Sequence, residues 1–110
     1  MIKTTTITPF YNLLDELISR PEMFLGSRNL NLIRTFINGY KIALTTYNHK
    51  DFDLEHFNSF DMYVQNNLNN RTTIGWPELI ESQCDSEDEA FNLFICLLSK
   101  YRASAPAHSK

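Results

Sequence analysis

The sequence predicts an all-α protein, a compact single-domain bundle of about five helices. Apolar residues recur at three- and four-residue spacing through most of the chain. Helix-starting residues stand where those stripes begin. Two-residue alternation is lacking, with Lys3-Thr4-Thr5-Thr6-Ile7 the only β-leaning piece. The 110 residues, 43% of them hydrophobic and 21% charged, suit one domain with a core of its own. That domain is expected to span 1–102, followed by a short tail.

The first helix opens at Thr8-Pro9, a hydroxyl for the N-cap and then proline at the first helical position. Phe10, Leu13, Leu14, Leu17 and Ile18 form its apolar stripe. It ends near Arg20, because Pro21 disfavours helical geometry in the residue before it. Glu22 to Ser27 is a short apolar connection closing on Gly26, and Ser27 or Asn29 can cap the next helix. That second helix runs from about Leu30 to Thr46, with Ile33, Phe36, Ile37, Tyr40 and Leu44 on one face. Gly39 in its middle costs roughly 1 kcal/mol relative to alanine, which close helix–helix approach would explain. Tyr47 to Asp53 is a polar loop.

A third helix is expected from about Leu54 to Leu68, with Leu54, Phe57, Phe60, Val64 and Leu68 inward. Asp61 lies on the edge of that stripe, either partly buried with a basic partner or exposed at the rim. A short helix is expected around Trp76 to Gln83, where Pro77 must fall in the first turn. Ser86-Glu87-Asp88-Glu89 is a capping box, and acids in a first turn also suit the helix dipole. It opens the last helix, about Glu87 to Arg102, whose apolar positions cover more than half the circumference and make it the central element. Residues 103–110 are small and polar and are expected to be disordered.

Charge is distributed unevenly. Between Asp51 and Ser99 ten carboxylates face a single base, Arg71, for a local charge of −9, whereas the whole chain carries −3. Helix starts attract acids, which explains Glu87, Asp88 and Glu89. The surplus lies in Asp51, Asp53 and Glu55 and in Glu78, Glu81 and Asp85. Like charges gathered without lysine cost stability through self-repulsion. A basic partner accounts for that cost, and the two groups are then expected on one face of the bundle. Nucleic acid is disfavoured as a partner, since phosphate contacts need clustered Lys and Arg.

Catalytic and metal-binding patterns are weaker. His49, Asp51, Asp53 and His56 offer ligand chemistry within eight residues. The stretch is no EF-hand loop, for His56 stands where glycine is needed. Acids that crowd at caps and loops do not have the divergent environments of a catalytic pair. Cys84 and Cys96 lack CxxC spacing. Cys96 falls in an apolar helical stretch and is expected in the core. Cys84 sits beside Asp85 and Glu87, which raise a thiol pKa. No catalytic residue, metal, cofactor or small-molecule substrate is expected, and the chain is not expected to be an enzyme. The N-terminus has no apolar h-region and no apolar run spans a bilayer, so a cytoplasmic protein without a membrane partner is expected.

Four pieces in order carry a resemblance: Arg20-Pro21-Glu22-Met23-Phe24-Leu25-Gly26; Phe36-Ile37-Asn38-Gly39-Tyr40; Gly75-Trp76; and Ser86-Glu87-Asp88-Glu89-Ala90-Phe91 leading to Leu93-Phe94. With these the chain resembles small bacterial immunity proteins of contact-dependent growth inhibition and related polymorphic toxin systems. Glu22 departs from the pattern, which has glycine after the proline. The resemblance implies a helical protein that binds and neutralises a cognate toxin domain, often a nuclease. It also implies that Pro21, Gly26, Gly39 and Trp76 determine the fold and are not the interface. A nuclease presents a basic cleft, so the expected partner-binding residues are Asp51, Asp53, Glu55, Asp61, Glu78, Glu81, Asp85, Glu87 and Asp88. They would occlude the active site of a basic toxin, a ribonuclease before other nucleases. The alternative is a regulatory or scaffolding module that binds a basic protein or peptide.

Overall fold

The computed structural model describes residues 10–104, and every regular element within them is a helix: α1 (Phe10–Ser19), α2 (Pro21–Leu25), α3 (Leu30–Thr46), α4 (Phe52–Phe57), α5 (Phe60–Asn67), α6 (Trp76–Ser82) and α7 (Glu87–Ser104). The fold class is all-α, as the periodicity requires. Two of the seven helices go beyond the expected five. The Pro21–Leu25 connection is itself a one-turn helix, and the expected third helix is divided into α4 and α5.

Each boundary has a local cause. Arg20 leaves helical geometry at φ −138° and ψ 61°, and Pro21 restarts the chain as α2. Gly26 ends α2 at φ +92°, donating its N–H to the Glu22 carbonyl at 3.1 Å. That left-handed conformation is one that glycine adopts without the Cβ penalty. Asn29 caps α3, its Oδ1 accepting from the N–H groups of Asn31 (2.9 Å) and Leu32 (3.3 Å). Asn48, at φ 58°, turns the chain after α3. The α4–α5 bend falls at Asn58-Ser59, where the Ser59 N–H bonds three residues back to the His56 carbonyl. Such tightening redirects a helix without unwinding it. Here it stacks Phe57 on Phe60 with ring centres 5.1 Å apart. The expected caps at Thr8-Pro9 lie outside the described residues, as does the tail from residue 105; Ala103 and Ser104, expected in the tail, continue α7.

The core is an aromatic cluster built around Phe60, which is fully buried. Its ring meets Trp76 at 5.5 Å, Phe94 at 5.8 Å and Tyr101 at 5.6 Å in edge-to-face geometry, while Trp76 stacks on Phe94 at 4.8 Å. Thus α5, α6 and α7 share one centre, and α7 supplies Ala90, Phe91, Phe94, Leu97, Leu98 and Tyr101 to it. α3 packs on α6 and α7, and α1 on α4. No helix among the described residues is long and apolar enough to cross a membrane.

Two sequence expectations are corrected. Cys96 is exposed on α7, not a core residue, because the inward stripe of that helix passes through Phe94, Leu97 and Leu98. Gly39 is exposed on α3, and a Cβ there would meet nothing within 4 Å. Close helix approach therefore does not explain it.

Candidate functional site

The carboxylates of the acidic stretch fall into two sets. Asp51 is 8% exposed. One of its oxygens caps α4, accepting from the Leu54 N–H at 3.1 Å, and the other accepts from the Tyr40 hydroxyl at 2.8 Å. Expected at a binding surface, it is instead a buried joint between α3 and α4. Burial, and then the Asp51 bond, push the Tyr40 hydroxyl pKa well up. Asp53 is partly buried and accepts the Tyr11 backbone N–H at 3.3 Å, at the start of α1. Beside it the Tyr11 hydroxyl and His56 Nδ1 lie 2.6 Å apart, and the His56 ring stacks on Tyr101 at 4.5 Å. His49, Asp51, Asp53 and His56 consequently do not converge, and no group of three such side chains among the described residues is placed to hold a metal ion. Glu55 differs from its two neighbours in being exposed, with no ion pair to any described residue.

The second set lines the edge between α6 and α7. Glu81, Asp85 and Glu87 border an open cleft of about 370 Å³ with Asn29, Asn31, Cys84 and Ser86. No lysine or arginine among the described residues lines it. Burial raises the Glu81 pKa, and the nearby carboxylates of Glu78 and Glu87 raise it further. Glu78 behaves oppositely. Burial opposes its ionisation, but the Arg34 guanidinium outweighs that and holds its carboxyl below the ordinary value. The two side chains form a two-pronged pair at 2.9 and 2.8 Å. Arg34 also donates to Asn31 Oδ1 at 2.6 Å. Gly75 lets the guanidinium lie against the backbone, since a Cβ there would come within 3.2 Å of Arg34 Nη1 and of Glu78 Oε1.

At the α7 start, the Ser86 hydroxyl accepts the Glu89 N–H at 3.1 Å, as the capping box requires. Glu89 reaches back one residue farther than expected, to the Asp85 N–H at 2.9 Å. Asp88 pairs with Arg28 at 3.0 Å, and Glu87 accepts from Asn29 Nδ2 at 2.8 Å. Burial raises the Cys84 thiol pKa, with Glu89 and Asp85 adding to it. That direction opposes nucleophilic use.

The two sets do not share a face. Tyr40, which holds Asp51, and Arg34, which holds Glu78, are six residues apart on α3 and so project about 120° apart around its axis. Asp61 is exposed and borders a different, smaller cleft with Arg34, Asn38 and Lys41. Of the expected residues, then, Glu78, Glu81, Asp85, Glu87 and Asp88 come together, Asp61 lies beside them across Arg34, and Asp51, Asp53 and Glu55 lie elsewhere. Arg34, Asn29 and Asn31 complete the surface, although the charge pattern of the sequence does not single them out. Their polar positions on one flank of the α3 stripe are the available signal. Comparison with family models, with curated proteins and with solved structures returns no match.

Proposed function

We propose that the protein is a non-catalytic inhibitor that binds a basic protein domain through the α6–α7 edge, and that the domain is a nuclease toxin whose active site it occludes. The observation that carries the binding reading is the cleft bounded by Glu81, Asp85 and Glu87, which no lysine or arginine among the described residues lines. Three carboxylates held around one concavity repel each other when the protein is free, and a cationic side chain entering the cleft relieves that repulsion. The resemblance of the four sequence pieces to immunity proteins supports reading that partner as a toxin. Charge complementarity would steer association and fix register, while a few well-packed anchors would set the affinity.

The test is titration against the candidate toxin domain encoded beside this chain's gene, at low and at physiological salt. Reversing Asp85, Glu87 and Asp88 to lysine should abolish binding and protection, with the loss largest at low salt. Unchanged binding of the triple variant at low salt would refute the acidic-face reading. If no toxin domain is encoded nearby but basic peptides still bind this edge, the scaffolding alternative takes its place.

A further inference from the structure

A second cleft lies on the same flank of α3, beyond the Arg34–Glu78 pair. α6 packs against both α3 and α5, and a cavity of about 140 Å³ opens beside its first turn. Phe57 and Trp76, both buried, contribute its apolar base. Asn38 and Lys41 border it from α3, and Asn58 and Asp61 from the α4–α5 bend and the start of α5. Arg34 borders it too, but its guanidinium is already occupied by Glu78 and Asn31. Lys41 and Asp61 form no ion pair with each other or with any other described residue.

A cation and an anion that share a cavity without meeting match one molecule that carries both charges in reverse. A simple anion entering here meets Asp61, and a simple cation meets Lys41. An uncharged peptide segment leaves both without a counter-charge. The two asparagine amides add donors and acceptors, and the aromatic base offers contact for a short apolar group. The volume lies well below the roughly 300 Å³ at which sites for drug-sized ligands begin. We propose that this cleft binds a small zwitterion, a free α-amino acid, with its carboxylate toward Lys41 and its ammonium toward Asp61. The bound molecule bridges α3 to α5.

Trp76 is the only tryptophan of the chain, so its fluorescence reports on the cleft. The full chain is titrated with L-leucine, L-glutamate and L-lysine, followed by fluorescence and calorimetry. 3-Methylbutylamine and 4-methylpentanoate serve as leucine counterparts lacking the carboxylate or the amine. The expected result is saturable binding of at least one amino acid, with the single-charge counterparts about tenfold weaker or worse, as loss of a charge-assisted hydrogen bond implies. K41M and D61N should each weaken it by a similar factor while leaving the thermal midpoint unchanged. Silence from all three amino acids overturns the proposal, as does equal binding of a single-charge counterpart. Loss of protein-partner binding in K41M or D61N, with the amino acids silent, assigns the cleft to a protein interface and also overturns it. None of these outcomes bears on the charge reversals at 85–88, which test a different surface.

Discussion

Asp51 begins α4 and Ser86 begins α7, each within a run of acidic residues, yet the surrounding structure treats the carboxylates differently. Around α4 they are drawn inward: Asp51 joins a backbone N–H to a tyrosine hydroxyl, and Asp53 takes the Tyr11 N–H on α1. Around α7 the Ser86 hydroxyl does the capping, and Glu81, Asp85 and Glu87 are left around a cleft that no cation among the described residues lines. Equal charge density along the sequence therefore does not mean equal charge at the surface. An acid that can reach a buried donor becomes part of the fold, whereas one whose capping role a serine has taken remains available to a partner.

The largest effect that can break this comparison is at Asp51. Replacing it with alanine removes the α4 cap and the carboxylate that accepts the Tyr40 hydroxyl. A lost cap costs about 1 kcal/mol and a lost hydrogen bond to a carboxylate about 1.5–3 kcal/mol, so D51A should lose roughly 2.5–4 kcal/mol in urea unfolding. Asparagine keeps a capping oxygen and should lose less than half of that. Partner binding by D51N should equal the wild type. A D51N protein that folds fully but binds poorly would return Asp51 to the surface and remove the distinction between the two sets.

Arg34 tests the other side. Its pair with Glu78 is about four-tenths exposed on both partners, so R34M should cost no more than about 1 kcal/mol. Removing the cation leaves Glu78 unopposed beside Glu81, so association with a basic partner should accelerate at low salt while stability falls. Stopped-flow association at two ionic strengths checks this. A slower association would mean that Arg34 itself touches the partner.

How far the sequence discloses these arrangements depends on the range of the interaction. The stripe Ile33, Ile37 and Leu44 and the box at Ser86 and Glu89 are set within a few residues, and both are legible. The bend at Asn58-Ser59 is not, because Leu54, Phe57, Phe60 and Val64 satisfy one continuous helical period. Only packing against Trp76 and Phe94 distinguishes a bent helix from a straight one. The pairs Tyr40–Asp51 and Arg34–Glu78 close over 11 and 44 residues, and nothing local announces them. The Glu81 cleft is half legible: spacing puts Glu78 and Glu81 on one short helix and Asp85 in the loop after it, but does not place the asparagines of α3 opposite them.

Gly39 separates the two flanks of α3 and belongs to neither. With open space where a Cβ would stand and an ordinary helical backbone, alanine there reduces the freedom of the unfolded chain without a clash. G39A should gain about 0.5–1 kcal/mol and leave binding unchanged. Gly26 provides the contrast, since its φ of +92° makes alanine there destabilising, by about 1 kcal/mol or more. If G39A destabilises or impairs binding, the exposed glycine is itself part of an interface.

The smallest effect concerns Glu81 and has a definite sign in pH. Its pKa in the folded protein is raised above the ordinary 4.5 by burial and by Glu78 and Glu87. A raised carboxyl binds its proton more tightly in the folded than in the unfolded state. Its favourable contribution is thus complete below the unfolded value and is lost as pH rises through the folded one. At neutral pH the ionised Glu81 is therefore a net cost, which glutamine of the same shape does not incur. E81Q should raise the thermal midpoint slightly at pH 7, and the gain should vanish on acidification below pH 4.5. Glu78 has the opposite sign, its stabilisation by Arg34 being lost on acidification, but it is present in both proteins and largely cancels from the difference. E81Q should also associate with a basic partner more slowly at low salt. A variant more stable and less able to bind would show that the crowding at this edge is kept for the partner and not for the fold; a variant that is less stable at pH 7 would place Glu81 with Asp51, among the acids that hold the bundle together.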